Sequence, residues 1–263
     1  MIEQILFLIV FFLAFSARWN WWRTKQKGIA VLMYHNIGKV PHKDNKSLWV
    51  SQTKFEKQIN FLIKNGYTFL GFSDLGKKTY PEKSVLITFD DGYKNNLSAL
   101  EFLISKKIKA NMFLVYNAIG KKNYWDENSP RKNAEEKLDL QTLKKLQQTN
   151  FMEFGAHTMD HKNLTEIKPE EVKYQIAESK IKLEKTFNTT IQAFAYPYGA
   201  GAFTENIKKE VEKTGFNFNF SVKQNLWDFK NWNKYKSIPR IFVRGDDFML
   251  DFKLKITRGK SRL

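Results

Sequence analysis

Two aspartates stand side by side in Thr88-Phe89-Asp90-Asp91-Gly92, directly after a run, Ser84–Phe89, that reads as a β-strand. Adjacent carboxylates raise each other's cost of ionisation, and a metal ion bound to one of them relieves it. The other then remains a base, so the pair suggests one ligand and one proton acceptor. A second cluster is Gly155-Ala156-His157-Thr158-Met159-Asp160-His161. The chain has 4 histidines, and two of them fall four residues apart after another strand-like run. If this segment turns helically, both imidazoles lie on one face and converge on one ion. Two imidazoles and a carboxylate with an open position are the makeup of a catalytic zinc-type site rather than a closed structural one. A third group, Phe194-Ala195-Tyr196-Pro197-Tyr198-Gly199, ends a strand in a turn fixed by Pro and Gly, which presents backbone N–H groups of the kind that hold an oxyanion. Singly, these motifs have ordinary readings as turns or structural histidines.

The elements that must position these residues alternate. Strands are expected at 29–34, Ser84–Phe89, 111–115, 153–156, 191–195, 218–222 and 238–243. Between them, Thr53 and Glu56 form a capping box for a helix with Phe55, Ile59, Leu62 and Ile63 on one face, stopped by Gly66. Further helices are expected at 97–106, 138–148, Pro169–Phe187, where Pro169 pre-sets the first turn, and 204–214. Strand–helix alternation of this kind predicts a mainly parallel α/β fold with active residues at the C-terminal ends of strands. The pattern fails between Tyr116 and Lys137, a polar stretch with Pro130 and a lone Trp125, which is either a disordered insertion or a loop over a site.

Together, Thr-Phe-Asp-Asp-Gly, His-Thr-x-x-x-His and Tyr-Pro-Tyr-Gly, in this order, resemble the polysaccharide deacetylase family, the carbohydrate esterases with a NodB-homology domain. The resemblance runs from about Ile29 to Val243. It implies a distorted (β/α) barrel, preceded here by one N-terminal apolar helix, and metal-dependent hydrolysis of an N-acetyl group on an amino sugar. It further implies Asp90 as general base, Asp91, His157 and His161 as metal ligands, and Tyr198 as a backbone donor to the oxyanion. Tyr196, Pro197 and Trp125 are the expected substrate contacts. Many members carry Arg at the position of Ala195 to brace the base; Arg240 is similar to the replacement in the branch that acts on exopolysaccharide poly-N-acetylglucosamine. No histidine follows His161, so the acid is either His35, which resembles an early active-site histidine of that branch, or Asp90 itself. Zinc suits the ligand set, with cobalt, nickel and manganese as alternatives. The alternatives to an acetyl hydrolase are a deformylase of a lipid-linked amino sugar and a catalytically lapsed, membrane-tethered glycan-binding protein; the retention of Asp90, Asp91, His157 and His161 counts against the latter.

Composition bounds the rest. At 263 residues, 42% hydrophobic and with 23 Phe, the chain can bury a full core, and with no cysteine it has neither disulfides nor thiolate chemistry. The net charge of +17 is spread along the chain without a compact basic motif, which argues against a nucleic-acid partner. The expected division is an anchor with its basic and aromatic flank at 1–27, a catalytic domain at 28–245 and a basic tail at 246–263. Ile5 to Phe15 is an unbroken apolar run; Arg18, Arg23, Lys25 and Lys27 lie after it. This arrangement predicts a single-pass anchor in the inner membrane, in contact with lipid and with the domain held cytoplasmic, a cleaved signal peptide ending near Ser16 being the rival. A cytoplasmic placement would favour a lipid-linked amino sugar over a finished glycan as the N-acetylated partner.

Overall fold

The computed structural model describes residues 2–17, 24–40, 43–125, 134–233 and 236–261. After a helix α1 (Ile2–Ala17) come β1 (Ala30–Tyr34), the short pair β2 (Asn36–Ile37) and β3 (Trp49–Val50), α2 (Gln52–Lys64), β4 (Thr68–Leu70) and β5 (Ser84–Phe89). The chain continues through α3 (Leu97–Ser105), β6 (Ala110–Leu114), α4 (Leu140–Gln148), β7 (Met152–Ala156), α5 (Pro169–Phe187), β8 (Ala193–Ala195), α6 (Glu205–Lys213), β9 (Phe218–Phe220), β10 (Ile241–Phe242) and α7 (Met249–Arg258). The main sheet is parallel throughout, in the order β10-β1-β5-β6-β7-β8-β9, with β4 also pairing to β5. A parallel bridge between Phe220 and Ile238, with Ile238 N–H donating to Asn219 O at 2.7 Å, joins β9 to the segment entering β10. The sheet therefore curls back on itself into the distorted (β/α) barrel expected from the sequence.

Both faces of the strands are covered, which is why β1, β5 and β6 are buried at every residue. Strand periodicity sorts their side chains. Val31, Leu86, Phe113, Ala195 and Phe220 fill the inside of the curl, while Leu32, Ile87, Phe89, Met112 and Phe194 pack outward with Phe55, Ile59 and Leu62 of α2 and Leu100 and Leu103 of α3. Continuing the inward parity past the strand ends brings His35, Asp90 and His157 to one mouth of the barrel.

Local details differ from the sequence expectation. Helix α2 is capped by Ser51, whose hydroxyl accepts from Lys54 N–H, so Thr53 lies inside the first turn and the Thr53–Glu56 box does not form. Residues 249–258, within the segment set apart as a basic tail, form a helix that buries Phe252, Leu254 and Ile256. The expectation of a single-pass inner-membrane anchor is corrected: among the described residues, no helix is long and apolar enough to cross a membrane. Helix α1 has 16 residues, roughly 24 Å at the α-helical rise, short of a hydrocarbon core of about 30 Å. The lipid contact and cytoplasmic placement lose their support with it, as does the preference for a lipid-linked substrate. The aromatic and basic residues at 18–23 and Pro130 lie outside the described residues.

Phe252 is fully buried and meets Phe61 of α2 edge-on at 6.4 Å. Phe252→Ala should therefore cost about 3–5 kcal/mol, measured by denaturant unfolding; an unchanged midpoint would show that α7 is not part of the folded unit.

Candidate active site

The Asp-Asp pair leaves β5 through a turn in which Asp91 has φ 69° and Gly92 has φ 69°. A left-handed backbone at Asp91 swings its carboxylate away from that of Asp90, and the two side chains meet different partners. Asp90 stays inside the barrel mouth. Its Oδ1 accepts from Arg240 Nη1 at 2.6 Å, its backbone N–H donates to Tyr34 O at 3.0 Å, and its Oδ2 lies 4.0 Å from His35 Nε2. Arg240 is fully buried, with Nε donating to Ser221 O at 3.1 Å and the guanidinium 5.3 Å from the Phe113 ring centre. Burial alone would raise the Asp90 pKa, but the Arg240 guanidinium, with help from His157 and His35, holds it below the ordinary carboxylate value.

Asp91 faces the histidines. Its Oδ1 is 3.2 Å from His161 Nε2 and 3.4 Å from His157 Nε2, and all three residues are buried. The segment 157–161 is not helical. His157 and His161 are brought together by a turn in which Thr158 (φ 67°) and His161 (φ 58°) are both left-handed, so the i, i+4 spacing acts through a compact loop. Burial works against ionisation of Asp91, yet the attraction of His161, Lys137 and His157 keeps its pKa well below the usual range.

The donor set fits a metal ion. His157 Nδ1 lies 2.7 Å from the carbonyl oxygen of Ala195, which can only accept, so Nδ1 carries the proton. Burial pushes the His157 pKa down to about 4, against the pull of Asp90. The ring is then neutral and turns the Nε2 lone pair, not a proton, toward a carboxylate oxygen. Two acceptors facing each other in a buried site are reconciled by a cation between them. Ligand atoms on Asp91, His157 and His161 all lie within 4.8 Å of one another. The 3.2 and 3.4 Å separations match the edge of roughly 3.4 Å that tetrahedral bonds of about 2.0–2.2 Å imply.

His161 sits between two aromatic rings, Trp125 stacked at 4.5 Å and Tyr198 edge-on at 4.7 Å. Tyr198 is 54% exposed and, with Tyr124, Trp125 and Asp160, lines a cleft of about 850 Å³ that opens on His161. The structure does not bring Tyr196 and Pro197 to this cleft: both are buried, Tyr196 packing edge-on against Phe194 at 5.1 Å. Of Tyr196, Pro197 and Tyr198, the turn after β8 points Tyr198 outward into the cleft. Two residues not singled out in the sequence belong to the surroundings. Lys137 is buried with Nζ 3.1 Å from the Tyr93 ring centre and 4.2 Å from that of Trp125; no periodicity in its polar segment marks it. Gln175 is a polar residue at a core-facing position of α5, between Val172 and Ile176, a signal visible in the helix pattern.

Comparison with known proteins agrees with this geometry. The family model for polysaccharide deacetylases matches residues 77–219. This chain belongs to the polysaccharide deacetylase family. It is 29% identical over 203 residues to YxkH of Bacillus subtilis, covering 74% of this chain and 65% of the relative, so it spans just under two thirds of that protein's length. It is 28% identical over 251 residues to the poly-beta-1,6-N-acetyl-D-glucosamine N-deacetylase of Staphylococcus aureus, covering 85% of this chain and 81% of the relative. The solved structure of BC0361, a polysaccharide deacetylase from Bacillus cereus, superposes with a TM-score of 0.75 at 26% identity, over 89% of this chain and 70% of that one.

The neutral, buried His157 has a pH signature. Its pKa is about 4 in the folded protein and 6.5 in an unperturbed chain. Between these values the unfolded chain binds a proton that the folded chain refuses, so stability should fall as pH drops through the window and level off below it. With metal removed by chelator, His157→Gln should show a shallower fall in melting temperature across that range than the parent; equal slopes would contradict a neutral imidazole.

Proposed function

We propose that the protein is a metal-dependent N-deacetylase that hydrolyses the N-acetyl group of N-acetylglucosamine units in a glycan polymer. The observation that carries this reading is the division of the Asp90–Asp91 pair, one carboxylate held by Arg240 and the other by two imidazoles. Asp91, His157 and His161 would hold a divalent ion, zinc by the donor set, with cobalt, nickel or manganese as the other candidates. When bound, that ion supplies a Lewis acid for the amide carbonyl and the attacking water.

The chain's own groups do the proton work. Arg240 keeps Asp90 ionised and occupies Oδ1, which leaves Oδ2 to accept a proton from the water as its oxygen adds to the acetyl carbon. The backbone N–H of Tyr198 is the proposed donor to the resulting oxyanion. Burial lowers the His35 pKa, so this ring is neutral at rest. The proton that the departing amine needs is therefore the one Asp90 has taken up, delivered directly or across the 4.0 Å gap by way of His35. The C–N bond breaks, acetate leaves, and Asp90 is again ionised. Trp125 and Tyr198 lie on either side of His161 in the cleft, which supports reading them as the rings that flank the sugar. Similarity to the staphylococcal deacetylase over most of both chains supports an N-acetylglucosamine polymer as the substrate class.

Acetate release from N-acetylglucosamine oligomers, measured alongside metal content, tests the assignment. Asp90→Asn should keep its metal and lose activity by about 10²–10⁴-fold. Asp91→Asn, His157→Ala and His161→Ala should lose the metal itself, since three protein ligands are the minimum for a catalytic site. Wild-type turnover in Asp90→Asn, or full metal content in both histidine variants, would overturn the reading.

A further inference from the structure

The turn that carries His157 and His161 is poorly suited to hold itself. Two of its residues, Thr158 and His161, are non-glycine residues in the left-handed region, a conformation that persists only where surroundings impose it. Within the turn, His161 N–H donates to Thr158 Oγ1 at 2.9 Å. The loop after β6 adds Tyr116 N–H to Thr158 O at 3.2 Å and Asn117 N–H to Met159 O at 2.9 Å. The remaining backbone donors at its apex, Met159 N–H and Asp160 N–H, both go to one atom, Gln175 Oε1, at 3.1 and 2.9 Å.

Gln175 lies on the buried face of α5 and uses the other half of its amide equally fully. Nε2 donates to Asp160 Oδ2 at 2.7 Å and to Glu171 Oε1 at 2.9 Å. Asp160 in turn accepts, through Oδ1, from Asn117 Nδ2 at 2.8 Å and from the Tyr124 hydroxyl at 3.3 Å. Tyr124 precedes Trp125, the ring stacked on His161. One side chain is thus tied to the backbone between the two histidines and, through Asp160, to the aromatic wall over one of them. An amide meets both demands at once, accepting two N–H groups on one side and donating to carboxylates on the other; neither a carboxylate nor an apolar residue of this size does so.

We propose that Gln175 is a positioning residue for the metal centre, fixing the strained 157–161 turn and, through Asp160 and Tyr124, the seat of Trp125. It touches neither substrate nor reacting atoms. The inference rests on Asp91, His157 and His161 being metal ligands, and its effect should appear first in metal affinity, where groups that orient ligands are typically worth 10–100-fold.

The test is zinc affinity of the full chain by competition with a chromophoric chelator, with thermal melts of the metal-free proteins recorded beside it. Gln175→Leu should weaken zinc binding by roughly 10-fold or more. The control is Gln147→Leu. Gln147 Nε2 donates to Phe187 O at the far end of α5, so its loss should lower the melting temperature and leave zinc affinity at the parent value. Should Gln175→Leu not fold, Gln175→Glu keeps the acceptor for the two N–H groups but loses the donor to Asp160 and Glu171, and should also bind zinc more weakly. Adding both Asp160→Asn and Glu171→Gln to Gln175→Glu restores the two hydrogen bonds with reversed polarity and should recover most of the affinity. Parent-like zinc affinity in Gln175→Leu or Gln175→Glu, or no recovery in the triple variant, overturns the positioning role while the metal site stands. A parent protein that binds no zinc, or any other divalent ion tried in its place, removes the reading beneath it.

Discussion

Two buried carboxylates on adjacent residues cannot share one environment, and the site is organised around keeping them apart. The left-handed turn at Asp91 sends neighbouring side chains to opposite partners, a guanidinium for Asp90 and two imidazoles for Asp91. Each partner answers a different electrostatic need. Arg240 is a permanent cation that cannot give up its proton, so Asp90 is ionised and anchored by one oxygen. His157 turns a lone pair toward Asp91, so Asp91, His157 and His161 form a donor set that a cation would complete.

Magnitudes decide which ion pairs matter. An exposed pair such as Arg244–Asp246 is worth about 0–1 kcal/mol. The Asp90–Arg240 pair is fully enclosed, and removing one member of such a pair costs about 3–5 kcal/mol because the other is left as an unpaired buried charge. Arg240 reaches Asp90 from a segment 150 residues further along the chain. The bridge between Phe220 and Ile238 therefore does more than curl the sheet: it joins β9 to the segment that brings Arg240 to Asp90. Gly155 serves the same interior. A Cβ there would sit 2.7 Å from two carbons of the Phe113 ring, against which the Arg240 guanidinium lies.

The position of the candidate site was legible in the sequence because its parts are local. Asp90–Asp91, His157–His161 and the turn at Tyr198 each occupy one strand end, and apolar runs bounded by turns identify those strands to within two residues. Period-2 alternation then places His35, Asp90 and His157 on the inner face without any knowledge of tertiary contacts. What the sequence concealed depends on contacts between distant segments. Lys137 is buried under two aromatic rings in a segment with no periodicity. Tyr196 and Tyr198 look equivalent in Tyr-Pro-Tyr-Gly, and only the positive φ of 57° at Tyr198 shows which one faces the cleft. The apolar N-terminal run misled in another way, since hydrophobicity is read from composition but spanning depends on helix length, and among the described residues no helix is long and apolar enough to cross a membrane.

The central claim is that Asp91, His157 and His161 together hold one divalent ion beside a base that does not touch it. X-ray absorption at the zinc edge, on the zinc-loaded full chain and on its Asp90→Asn variant, addresses this directly. The account predicts one zinc per chain, bound by two imidazole nitrogens and oxygen donors at about 2.0–2.2 Å, with the same spectrum in both proteins. A first shell without histidine scattering, or a spectrum that changes when Asp90 is replaced, would contradict it.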